Sequence, residues 1–463
     1  MHGDFSLNPL AYRDRVSRVL YQQGRVQLDS DMNELTGTLL HATRALAFDA
    51  IGPHGGVDTS FQITFDNNKF QIAFGHYWVD GIQCVNQRPG DFWDVLAKAP
   101  VPPAPKTLLL HKQPYYFFPE TPDPDESKPG LFYLDAFEHH ISSAQDDSLR
   151  ELALLGPDTT SRAVVVWQVR KLTTDDTRAW HELIDNLDGP PRIYDKPYIA
   201  LNLLLRSGGR LRARATITEA TDPCVISPDA RYRGNDNRLF RVEVHRPGHL
   251  DAAGKPVDAT FKFSRDNGAE VYPIRELEGK VVQLDSLGRD HRTAIRVNDW
   301  VEVVDDEVLL MQKALPLRQV IDVNRHTMTV TLDDTPDEKA GTRQELHPIL
   351  RRWEGPPIAI RLREDAHPKA NWIDLADGVQ VQFSLAPGYR NTFRTGDYWT
   401  IPTRTATGDV IWPHDGPDNP LAVAPHGVDH HYAPLDEWKG GTGTPMTKFR
   451  RDFLPLTMVQ PKP

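Results

Sequence analysis

Two spacings of apolar residues run along this chain, and the change from one to the other divides it. Met32, Leu35, Leu39, Ala42 and Leu46 recur at intervals of three and four. That is the repeat of one helix face, and the stripe is as narrow as a coiled-coil seam. Asp31 fits the N-cap of this helix, with Glu34 three residues on as the acidic partner of a capping box. Gly52-Pro53 supplies the stop. Upstream, Asn8 and Pro9 read as the N-cap and first residue of a shorter helix with Tyr12, Val16, Val19 and Leu20 on its apolar side, ended by Gly24. Joined by Gln22 to Ser30, the two predict an N-terminal α-helical hairpin.

Beyond Pro53 the period falls to two, the signature of strands. Phe61 to Phe65 and Phe70 to Phe74 flank Asp66-Asn67-Asn68, and Tyr77 to Val79 and Ile82 to Val85 flank Asp80-Gly81; both read as hairpins. Leu108 to Leu110, Tyr115 to Phe118, Leu131 to Ile141 and Ala163 to Val169 continue as strands, interrupted by helical patches at Ser148 to Leu155 and Asp175 to Leu187. Pro100 to Pro105 is a break, and Pro119 to Gly130 an acidic, proline-rich loop. After the turn Asp188-Gly189-Pro190-Pro191 the pattern is almost wholly β, through Arg238 to His245, Thr260 to Ser264, Ala269 to Tyr272, Val297 to Val304, Thr327 to Leu332 and Val379 to Phe383. The expected fold is mainly β with an N-terminal α-helical hairpin, the β portion forming multiple small sandwich or barrel-like domains. The expected divisions are a helical hairpin over 1–56, an aromatic-rich β domain over 57–190, and a β-rich region over 191–463 of one or two units. Asn298-Asp299-Trp300-Val301-Glu302-Val303 and Gly396-Asp397-Tyr398-Trp399-Thr400-Ile401 are weakly alike, each an acidic turn before an aromatic-led strand.

At 463 residues, core size is not limiting, and the 38 Pro and 31 Gly suit a turn-rich β protein. A net charge of −11 argues against nucleic acid or an anionic membrane as partner. The opening residues carry no secretory signal, and no apolar run is long enough for a membrane span. The protein is expected in the cytoplasm at synthesis, leaving the cell by lysis or inside a larger particle. Two cysteines, Cys84 and Cys224, make neither a disulfide framework nor a zinc site, and leave a single bridge open.

Candidate chemistry is sparse. His426, His430 and His431 lie near Asp429 and Asp436, and His139-His140 follow Glu138, but Pro425, Gly427 and Pro434 oppose a helix that would align them. Asp299, Glu302 and Asp397 sit at strand edges where a glycosidase would hold paired carboxylates, a placement common in any β protein. Ser264 lies in no nucleophile elbow and leads into an Asx or type I′ turn. No catalytic residue, cofactor or metal is therefore assigned. The densest block of polar groups instead falls in Gln22 to Glu34, which matches no catalytic, phosphate-binding or metal-binding template. Gln22, Gln23, Arg25, Asp29, Asp31, Asn33 and Glu34, with Leu35 and Leu39 on the helix behind them, are the candidate assembly residues, against the alternative that they satisfy a buried turn.

The opening Gly3-Asp4-Phe5-Ser6, the block Gln22 to Asp29 with Asn33-Glu34, and Ile51-Gly52-Pro53 resemble an uncharacterised bacterial family. Thr260 to Gly268, Arg351 to Gly355, Thr395 to Pro402 and His430 to Leu435 extend the likeness over nearly the whole chain. Members of that family are encountered with phage-tail-like contractile injection systems. The opening is also similar to baseplate and tail-fibre attachment proteins, in which a hairpin docks a β-rich body. The resemblance implies a non-enzymatic structural protein at the baseplate periphery, as a wedge-associated, cage or fibre-like component. Its partners would be other baseplate or fibre subunits and further copies of itself. The competing reading is a glycan-recognition module or polysaccharide hydrolase of such a particle.

Overall fold

In the computed structural model, the described residues are 1–7, 16–87, 107–115, 117, 128–156, 158–187, 195–216, 231–251, 256–337, 339–363, 367, 370–416, 419–441 and 446–454. They are mainly β, with several sheets and a few helices. The chain forms two compact units, one of residues 1–38, 139–163 and 207–429, the other of 39–138, 164–206 and 430–463.

The first unit holds a closed barrel. Its strands run in the order Val271–Glu278, Val281–Leu284, Thr329–Leu332, Arg318–Asn324, Trp300–Val304 and Ile349–Trp353, every neighbouring pair antiparallel. Alternate residues such as Ile274, Val282, Val301, Val303, Val330 and Leu350 fill one apolar core. Beside it lies a five-stranded sheet centred on Leu239–Arg246, with Thr260–Ser264 and Tyr398–Arg404 on its flanks. Phe240, Val242, Phe261 and Trp399 of that sheet share a core with Leu211, Val381 and Phe383 of a three-stranded sheet.

Alternation alone places the opposite face of Leu239–Arg246 in water. The structure buries it instead: Arg241, Glu243 and Lys262 are all at most 5% exposed. Lys262 Nζ donates to both Glu302 carboxylate oxygens, at 2.7 and 2.6 Å, and lies 3.2 Å from Glu243. Trp353 Nε1 donates to the same Glu302 at 3.1 Å. A charged layer thus lies between the barrel wall and the sheet, possible because each buried carboxylate meets a cation.

The second unit builds its core from three sheets, around Phe61, Phe70, Tyr77, Phe132, Trp167 and Leu435. Strand Gly130–Ile141 is buried on both faces: Phe132 and Leu134 join that core, while Leu131 and Tyr133 pack on Trp180, Leu201 and Leu204 of the helices Thr174–Asn186 and Lys196–Leu205. Thr173 and Asp195 cap these helices by accepting from Asp176 N–H and Tyr198 N–H.

Both expected tight hairpins form, Asp66↔Lys69 and Val79↔Ile82 closing two-residue turns whose central residues all have positive φ. The patch at Ser148 to Leu155 proves to be two short 3₁₀ turns. Tyr115 lies in a turn where a strand is expected. The proline-rich break at 100–105, the turn at 188–191 and most of the loop at 119–130 fall outside the described residues. So do Asn8, Pro9 and Tyr12 of the first expected helix; Val16 to Gln22, which are described, carry no helix. A hairpin of two helices is therefore not what the described residues show. Between positions 16 and 53 they show one helix, α1 (Asp29–Ile51).

Candidate assembly surface

A turn over Gln22 to Arg25 leads into α1. Arg25 N–H donates to the Gln22 carbonyl at 3.3 Å, and Gly24 has φ of +68°. That is the conformation a type II turn requires at its third residue, and glycine adopts it without strain. The Tyr21 hydroxyl donates to Met32 Sδ, tying the turn to the helix.

The helix starts at Asp29, so Asp31 is its third residue and not its N-cap. Its carboxylate accepts from the Leu28 N–H at 3.3 Å, the backward-reaching half of a capping box that the sequence assigns to Glu34. Asp29 accepts from the Ser6 N–H at 2.9 Å and the Ser6 hydroxyl at 2.6 Å. Burial opposes ionisation of Asp29, yet the bonds from Ser6 prevail and its pKa is lowered. Both carboxylates also lie at the positive end of the helix dipole. No ion pair joins Arg25 to Asp29 or Asp31 among the described residues. At the other end, Gly52 at φ +97° donates its N–H to the Phe48 carbonyl at 2.7 Å and stops the helix where the sequence places the stop.

Gln22, Gln23, Arg25 and Asp29 are exposed, while Asp31, Asn33, Glu34 and Leu35 are half-buried. The apolar stripe is largely open: Met32 is 50%, Leu39 58% and Leu46 70% exposed. Leu20, Tyr21, Val26, Leu28 and Leu40 are exposed too, so among the described residues eight of the twenty exposed large hydrophobic residues fall between positions 20 and 46. Such crowding separates this segment from the scattered exposed leucines of any surface. Only Thr38 of the helix is fully buried. Close packing does occur at Gly81, where an added Cβ would lie 2.1 Å from the Arg44 carbonyl oxygen.

The other candidate groups are held in local bonds. His430 Nδ1 lies 2.6 Å from Asp135, His431 Nδ1 2.7 Å from Asp80, and His426 Nδ1 accepts from the Thr400 N–H at 3.0 Å. Among the described residues, no group of three or more His, Cys, Asp or Glu gathers to hold a metal. Glu302 is taken up by Lys262 and Trp353, whereas Asp299 and Asp397 each close a turn by accepting from the N–H three residues back, Arg296 and Arg394. Ser264 Oγ accepts from the Asp266 and Gly268 N–H groups, and Asn267 and Gly268, both at positive φ, form the expected type I′ turn. Its buried Asn267 amide then donates to the carbonyls of Met1 at 3.2 Å and Gly3 at 3.0 Å, an anchorage that no local pattern marks. Cys84 is a free buried thiol whose pKa burial raises; Cys224 lies outside the described residues.

No curated protein matches the chain, and no solved structure does. Residues 1–193 and 207–444 match the model of a family of unknown function, DUF6519. That span takes in the turn at Gln22 to Arg25, α1 and most of both β-rich units, and the chain accordingly belongs to the DUF6519 family.

Proposed function

We propose that this protein is a non-enzymatic structural component of a contractile injection system or phage-tail-like particle, attached at the baseplate periphery through α1. The observation that carries the docking part is the run of eight exposed apolar residues between positions 20 and 46. Burying them against a partner stabilises the contact by about 25 cal/mol per Å² of apolar surface removed from water. The narrow, a/d-like spacing of Met32, Leu35, Leu39 and Leu46 suits another helix, from a baseplate or fibre subunit or a second copy of this chain. The kind of particle rests on the resemblance of the Gly3 to Ser6 and Gln22 to Glu34 blocks. Each β-rich unit then serves as a packed scaffold.

The test is incorporation. Leu39→Asp/Leu46→Asp protein, produced in place of the wild type, is expected to keep its circular dichroism spectrum and to be missing from purified particles by mass spectrometry. Undiminished incorporation of the double variant overturns the docking role, and absence of the wild-type protein from particles overturns the particle assignment.

A further inference from the structure

The first unit contains a cleft of about 600 Å³ that the assembly reading does not use. Its floor carries Arg351, which is 4% exposed. The Arg351 Nε is buried without a hydrogen-bond partner, and among the described residues the guanidinium makes no hydrogen bond or ion pair. His140 lines the same cleft, and its Nε2 is likewise buried and unpartnered. A buried polar group left without a partner costs about 1–3 kcal/mol, more for a charged one, so two such groups at one cleft point to a missing ligand.

The charge behind the floor has a definite sign. Arg241, Lys262 and Arg351 are buried cations, against the buried carboxylates Glu243 and Glu302, which leaves an excess of one positive charge. Lys262 meets both carboxylates and Arg241 donates to Glu243 at 2.6 Å, so the unmatched cation is Arg351. Burial lowers the Arg351 pKa, Glu243 and Glu302 offset this in part, and Arg241 adds to it. His140 has its pKa lowered by burial and by the neighbouring cations, which leaves a neutral ring. Counted with Arg351, the lining carries three cations, Arg150 and Arg289 being the others, against Asp4, Asp158 and Glu270, so as a whole it does not repel an anion. The Thr159-Thr160-Ser161 run adds hydroxyls along one wall, and Phe5, edge-on to His140 with centroids 6.4 Å apart, adds an aromatic edge.

We infer that this cleft binds a small hydroxylated carboxylate, of the sugar-acid class, with its carboxylate on Arg351 and His140 and its hydroxyls toward Thr159, Thr160 and Ser161. A guanidinium fits a carboxylate through paired N–H donors, and a neutral imidazole with hydrogen on Nε2 adds one more. The site is independent of α1, and its failure leaves the docking proposal standing.

Isothermal titration of the full-length protein with D-glucuronate, D-glucose and inorganic phosphate tests this. Glucuronate is expected to bind at least tenfold more tightly than either glucose or phosphate. Arg351→Gln is expected to lower glucuronate affinity at least tenfold, with an unchanged circular dichroism spectrum. Should that variant fail to fold, Thr160→Val/Ser161→Ala, changed only at the wall, is expected to weaken glucuronate and leave the fold intact. Absence of glucuronate binding to the wild type overturns the site. Phosphate binding as tightly as glucuronate overturns the sugar-acid assignment, and equal affinity in the variants overturns the roles given to these residues.

Discussion

Lys262 and Glu302 face each other across the charged layer of the first unit, the ammonium 2.6 and 2.7 Å from the two carboxylate oxygens, with both side chains almost wholly buried. Glu302→Gln leaves Lys262 with Glu243 alone and is expected to destabilise the protein by about 3–5 kcal/mol, the usual cost of breaking a buried pair from one side. Lys262→Met/Glu302→Leu removes both charges and is expected to lose less than the single change. Urea denaturation of the three proteins measures it, and additive losses would show the two residues are not coupled.

Asp397 gives a pH dependence with a definite sign. Burial raises its carboxyl from 3.8 to about 6, despite the opposing Arg394 charge. The folded protein therefore holds this proton more tightly than the unfolded chain. Stability from this group is full below 3.8 and falls as the pH climbs through about 6. Asp397→Asn is expected to exceed the wild type by about 1–3 kcal/mol at neutral pH and to lose that advantage in acid. Thermal melts across the range test this, and a constant difference between the two proteins would contradict it.

Gly81 makes a steric prediction. It turns the hairpin at φ +78°, and an added methyl would lie 2.1 Å from the Arg44 carbonyl oxygen of α1. Gly81→Ala is expected to cost about 2–4 kcal/mol through strain and lost packing. Chemical denaturation would find no such loss if the helix simply shifted away.

Asn267 anchors the start of the chain. Asn267→Ala keeps the layer's charges but removes the donor to the Met1 and Gly3 carbonyls. Faster amide exchange at residues 3–6 is expected, at a cost of about 1–3 kcal/mol. Unchanged exchange there would mean the remaining bonds, Arg241 to the Met1 carbonyl, His2 to Glu243 and Ser6 to Asp29, hold the segment without Asn267.

What could be read from the sequence follows from how local each cause is. Asn67-Asn68, Asp80-Gly81 and Asn267-Gly268 carry their positive φ in their own chemistry, and their turns form as read. The stripe of α1 is a local periodicity, and so is its Gly52 stop. The likeness between the Asn298 and Gly396 segments also has a structural counterpart: in each, an Asp side chain accepts from an arginine N–H three residues earlier. Helix Lys196–Leu205 escaped because it is apolar nearly all round, and a helix packed on a buried strand shows no polar face to reveal its period. The charged layer escaped for the reverse reason. Arg241, Glu243 and Lys262 read as a wet face until the barrel wall covers them. Arg351 enters the sequence reading only within the Arg351 to Gly355 block of the resemblance, and its lack of a partner depends on elements far apart in sequence.

The interleaving of the two units governs how the polypeptide can emerge from a ribosome. Strand His54–Val57 pairs in parallel with Asp452–Phe453, and Gly130–Ile141 pairs antiparallel with His431–Trp438. Synthesis must therefore pass positions 431–453 before either early strand meets its mate. Until then one edge of each stays unpaired and open to other nascent chains, a hazard of association that follows from connectivity alone.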